Sequence, residues 1–139
     1  MSLAPSLTTF ASPVRRGRLG SAALWTVQIA LAGMFLLAGG SKLLGAPPMV
    51  AMFDAIGIGQ WFRYVMGLIE VGSALALLVP SFAVFGAIAL VATMIGAVAT
   101  HLFIIGGSPV MPAILLLGSA GVVWARWRQL FGAQTATLR

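Results

Sequence analysis

Glu70 and His101 are the side chains best placed to exchange a proton within apolar surroundings, and Lys42 and Arg63 are the cations that accompany them. Glu70 sits in "GLIEVGSALAL" (67–77) and is one of only two acidic residues in the chain. A charged carboxylate alone at membrane depth costs several kcal/mol, so Glu70 has to be protonated, paired, or solvated in a cavity. Lys42 can reach it on a flexible stem, and the His101 imidazole can donate to it or accept from it. Arg63, seven residues before Glu70, shares nearly the same helical face but lies about 10 Å away along the axis. A Lys42 or His101 contact is therefore expected before an Arg63 contact. Asp54, the other acid, is either a loop cap or solvated residue or an orienting partner for Arg63 or Lys42. Tyr64, Ser73, Thr93 and Thr100 either line the same polar side or satisfy nearby backbone groups.

Lys42, Arg63, Glu70 and His101 are thus the candidate ligand-binding residues, with Glu70 and His101 the candidates for proton exchange. Three readings stay open: a polar fastener between helices, a small-molecule pocket, or a path for protons or ions. Other chemistries find little support. No Ser, His and acid set has the spacing of a hydrolase, His101 has no second His for a metal centre, and no phosphate-binding Gly-Lys-Ser/Thr loop is present. With no Cys, the chain has neither disulfides nor a thiol relay of its own. No intrinsic cofactor is expected.

The elements that must position these residues are apolar. The chain has 139 residues, 60% of them hydrophobic and 7% charged, where a soluble domain is about one quarter charged. Apolar blocks run over about 19–44, 61–79, 82–105 and 110–124. A hydrocarbon core of roughly 30 Å takes about 20 helical residues, so the first and third blocks are ample and the second and fourth are short. A soluble four-helix bundle would need polar outer stripes, and these blocks are apolar nearly all round. The expected architecture is all-α: an integral membrane four-helix bundle. Its membrane domain spans 19–128, with flexible cytoplasmic tails at 1–18 and 129–139.

Pro80 and Ser81 predict a tight hairpin, and "GGSP" (106–109) a second turn. Residues 45–60, "GAPPMVAMFDAIGIGQ", are expected to be the one substantial loop. Phe53, Ile56 and Ile58 suit a short amphipathic or re-entrant piece, so this segment either covers one end of the bundle or merely spaces two helices. Arg15, Arg16 and Arg18 precede the first block, and Arg126 and Arg128 follow the fourth. The positive-inside rule places both clusters in the cytoplasm, giving an N-in/C-in protein; the expected location is a bacterial inner membrane. The first block is long for a signal peptide and has no convincing cleavage site, so it is expected to remain as a span. On this topology Glu70 lies about 13 Å inward from Trp61, His101 about 6 Å from the outer end, and the polar residues gather in the outer half. The net charge of +6 fits membrane orientation better than nucleic-acid binding, since no basic stripe with interleaved aromatics occurs.

Small residues favour close helix packing, although no strict G-x-x-x-G occurs. Met34, Met49, Met52, Met66, Met94 and Met111 read as packing groups, and Trp25, Trp61, Trp124 and Trp127 as interfacial belts.

Three stretches together resemble the DoxX-like integral membrane proteins: "ALAGMFLLAGGSKLLG" (30–45), "GLIEVGSALALLVP" (67–80) and "MIGAVATHLFI" (94–104). The resemblance covers about 24–125 and rests on Gly39, Lys42, Glu70 and His101 in that order. It implies a four-helix membrane protein. One branch of the wider family includes subunits of a thiosulfate:quinone oxidoreductase, and some relatives are linked to membrane thiol and oxidative-stress systems. The partners this suggests, beyond membrane lipids, are a quinone and a larger membrane complex or a second copy of the chain. A quinone's carbonyls would accept from Lys42 or His101 while Glu70 exchanged a proton. The competing expectation is a non-enzymatic accessory or assembly subunit.

Overall fold

The computed structural model describes residues 15–136, all of whose regular elements are helical. Helix α1 (Arg15–Leu43) has 29 residues and no proline. At 1.5 Å per residue it extends about 43 Å, more than a hydrocarbon core requires. Gly45, at φ 70°, breaks it. Helix α2 (Pro47–Ile56) starts on two prolines, which cost no hydrogen bond at a helix's first positions, and stops at Gly57 in the left-handed conformation. The segment expected to be a loop is therefore mostly helix. Its prolines separate α2 from α1 and also begin it.

Helix α3 (Gln60–Leu77) turns through residues 78–82 into α4 (Ala83–Thr100). The α4 backbone continues as a π-helical turn, His101–Ile105, that ends at Gly106 and Gly107, both with positive φ. Helix α5 (Val110–Ala136) runs well past the fourth apolar block. Residues 1–14 and 137–139, parts of the expected tails, lie outside the described residues, while 15–18 and 129–136 are helical backbone continuous with α1 and α5.

Three helical stretches are long and apolar enough to cross a membrane: Leu19–Leu43, Ala83–Ile105 and Val110–Arg128. Helix α3 differs from them in carrying Arg63 and Glu70 within 18 residues. The outward faces are oily, with Leu37 72%, Phe85 66% and Leu117 73% exposed. A bundle in water would place polar side chains there; in lipid such faces meet their own kind.

Helix α1 packs on α3 and α5, and α4 packs on the same two. The short connections alternate their direction. The core joins Leu31, Ala32 and Phe35 of α1 to Ala74 and Leu77 of α3, Ala87, Leu90 and Met94 of α4, and Val122 of α5. Two crossings depend on missing side chains. A Cβ on Gly39 would lie 2.9 Å from the Gly67 carbonyl oxygen, and one on Gly86 would lie 2.7 Å from that of Ser73. Such near-contact of backbones supplies the dispersion that holds helices together in lipid, where no hydrophobic force does.

Candidate functional site

The Gly39–Gly67 crossing builds the site. Lys42 lies one turn beyond Gly39 on α1, and Glu70 one turn beyond Gly67 on α3. Helical side chains lean toward their own N-terminus, and α1 and α3 are antiparallel, so the two lean toward each other across the crossing. Lys42 Nζ meets Glu70 Oε2 at 2.8 Å, with the side chains 13% and 2% exposed. Of the two contacts expected from the sequence, through Lys42 or through His101, the Lys42 one is formed. A buried pair of this kind is held by geometry as much as by charge, since each ion has been taken out of solvent.

Arg63 is buried but takes another role. Its Nη1 donates to the Lys42 backbone carbonyl and its Nε to Gln60 Oε1 at 2.6 Å. A guanidinium on one of the last carbonyls of α1 completes a helix end that lacks intrahelical donors and suits its negative pole. Gln60 Nε2 donates in turn to Val50 O at 2.9 Å and Asp54 Oδ1 at 2.7 Å. Asp54 therefore reaches Arg63 through Gln60, and the chain of bonds ties α2 to the junction of α1 and α3. Arg63 does not line the cavity described next.

Beneath α2 lies a cavity of about 230 Å³ to which every helix contributes. Phe35, Ala38 and Lys42 come from α1; Met49, Met52, Phe53 and Ile56 from α2; Phe62, Met66 and Glu70 from α3. Helix α4 adds Thr93, Met94, Gly96, Ala97 and Thr100, the π-turn adds His101, and α5 adds Met111, Pro112 and Leu115. Lys42, Glu70 and His101 are its ionisable lining, and all three are sequence candidates. Helix α2 is its cover: Phe53 is buried against Phe62, with ring centroids 5.8 Å apart.

His101 Nδ1 lies 2.8 Å from Ala97 O. A carbonyl only accepts, so Nδ1 carries the proton, and in the neutral ring Nε2 is left as an acceptor. The imidazole thus completes its helix backbone rather than pairing with Glu70. Thr93 and Thr100 likewise donate to Ala89 O and Gly96 O, each at 2.9 Å, so their hydroxyls serve the helix even though both residues line the cavity. Of the other polar candidates, Ser73 is buried and Tyr64 is exposed beneath the Arg63 guanidinium, 4.3 Å from its ring centroid.

The DoxX-like family profile matches residues 26–124, which include all five helices' contributions to this cavity. The chain belongs to the DoxX-like family. No curated protein and no solved structure matches it. Family membership and the oily outward faces agree on an integral membrane protein.

Three features of this DoxX-like chain have little signal in the sequence. Five methionines, Met49, Met52, Met66, Met94 and Met111, line the cavity rather than simply filling a core. Gln60 joins both acids' neighbourhoods although a neutral amide betrays no partner. At the opposite end, fully buried Gln28 donates to Leu77 O at 2.6 Å and accepts from Arg126 Nε and Nη2 at 2.9 and 2.6 Å, joining α1, α3 and α5. Among the described residues no group of three or more His, Cys, Asp or Glu side chains gathers as a metal site.

Proposed function

We propose that the cavity is a binding site for a small planar carbonyl compound, a quinone head group in the first instance, within a redox-associated membrane subunit. The observation that carries this reading is an ion pair, Lys42–Glu70, on the wall of a mostly apolar cavity beneath its own helical cover. At about 230 Å³ the space suits one ring and its substituents; drug-sized pockets begin near 300 Å³. Methionine sulfurs favour aromatic and polarisable faces and adapt to their shape. Lys42 spends one donor on Glu70 and retains others for a carbonyl oxygen, while Glu70 and His101 are the groups able to give or take a proton. Electrons come from a partner, because this chain has no Cys and no haem, flavin or iron–sulfur motif. Arg63 acts as a positioning residue that holds α1, α2 and α3 together around the site.

The same reading takes α3 as the fourth span and both termini as cytoplasmic in a bacterial inner membrane. Arg15, Arg16 and Arg18 in α1 and Arg126 and Arg128 in α5 fall at one end of the bundle, and the cavity falls at the other. The site then opens toward the outer leaflet, where a quinone tail has an apolar route.

A second reading has its own support. Lys42 and Glu70 satisfy each other and join α1 to α3, as a fastener in an assembly subunit would. Purified Glu70→Gln and His101→Ala proteins separate the two. Under the quinone reading both still assemble, Glu70→Gln with lowered thermal stability, and lose bound quinone; under the assembly reading oligomer or complex formation is lost as well. Retention of both properties would exclude a role for the cluster.

A further inference from the structure

The end of the bundle opposite the cavity carries arginines and no acidic side chain. The chain's two acids, Asp54 and Glu70, are engaged at the cavity end with Gln60 and Lys42. Arg128 stands over Trp124, its guanidinium carbon 4.9 Å from the ring centroid. Beside it an open groove of about 570 Å³ runs between α4 and α5. Ile88 and Val91 form one side, Ala120 and Val123 the other, and Trp124, Trp127 and Arg128 the mouth. From Ala120 to Arg128 the groove follows α5 for about 12 Å.

Along that line the chemistry changes from aliphatic to indole to guanidinium. A phospholipid presents the matching order: acyl chain, interfacial esters, phosphate. The guanidinium fork fits phosphate oxygens in a bidentate manner, and indoles favour the ester level of a bilayer. Trp124 is 65% exposed and Ala120 is exposed too, so the groove is open on the outer surface of the bundle. Charge selects among lipids. A zwitterionic head group brings its own cation toward an arginine-rich end that has no acid to receive it, whereas an anionic head group supplies the missing negative charge.

We propose that the α4/α5 groove is the seat of one anionic phospholipid, with its phosphate on Arg128 and the first part of an acyl chain between Ile88 and Val123. The seat is independent of what the cavity binds. It fixes the depth of α5 at the interface and braces α4, which forms part of the cavity wall.

The test uses the full chain in nanodiscs containing both phosphatidylglycerol and phosphatidylcholine, released and weighed with its retained lipid by native mass spectrometry. The wild type is expected to retain one phosphatidylglycerol with about fivefold preference, the scale of one arginine at a charged surface. Arg128→Gln brings the preference near unity, and Arg128→Lys restores most of it. Ala120→Trp, which fills the groove from an exposed position, releases lipid of both kinds. Equal retention of the two lipids by the wild type would overturn the proposal, as would an unchanged preference in Arg128→Gln or a fully loaded Ala120→Trp protein.

Discussion

At the residue scale the Lys42–Glu70 pair decides most. Removing one member leaves a buried charge without its partner, which typically costs about 3–5 kcal/mol, whereas replacing both with apolar groups is often close to neutral. Lys42→Met alone should therefore lower thermal stability in detergent sharply, and Lys42→Met with Glu70→Leu should recover most of the loss. The double variant should still bind no quinone. That split between recovered fold and lost binding distinguishes a recognition site from a fastener, and a double variant that binds as the wild type does would refute the site. Sequence spacing narrowed the partner of Glu70 to Lys42 or His101 and set Arg63 behind them, because a long stem near a helix end can reach down to it; it did not choose between the two. It was not enough for His101, whose ring nitrogen is taken by the Ala97 carbonyl. Nor was it enough for Arg63, whose role as the cap of α1 arises only once two helices meet.

Two elements set the geometry around that pair. At the Gly39–Gly67 crossing, a Cβ on Gly67 would lie 2.9 Å from Leu43 and 3.0 Å from the Gly39 carbonyl oxygen. Gly67→Val should push α1 from α3, separate Lys42 from Glu70 and abolish quinone binding, measured alongside helix content by circular dichroism. Helix α2 is the second element. Phe53→Ala removes the aromatic plug between α2 and α3 and should cost about 3 kcal/mol of thermal stability, with weaker binding as the cover loosens. The glycine-rich character of the spans was legible, but which glycines touch was not: Gly72 and Gly96 have open space where Gly39, Gly67 and Gly86 meet backbone. Helix α2 was half legible. Its apolar residues suggested a piece covering the bundle end, while Pro47 and Pro48 signalled a break from α1 without showing that they also start a helix. The π-turn at His101 left no pattern in the sequence, since five apolar or aromatic residues suit an α-helix equally well.

For the whole molecule, membrane character was plain from composition and apolar block length, and three spans follow from the helices themselves. Helix α3, the proposed fourth, is less apolar than these three because it carries Arg63 and Glu70. With no native cysteine, single-Cys variants can be labelled without background. Asp54→Cys should react with an impermeant maleimide added outside bacterial cells, and Ser81→Cys only after the membrane is opened; the reverse pattern would invert the proposed orientation. The cavity claim itself is tested most directly by photoaffinity labelling of the purified wild-type protein with a short-chain azidoquinone, followed by peptide mapping. The expected result is label on the α2 stretch holding Met49, Met52 and Phe53 and on the stretch from Met94 to Met111, suppressed by excess unlabelled quinone. Label spread over the lipid-facing surfaces and unaffected by competitor would contradict a quinone site in this cavity.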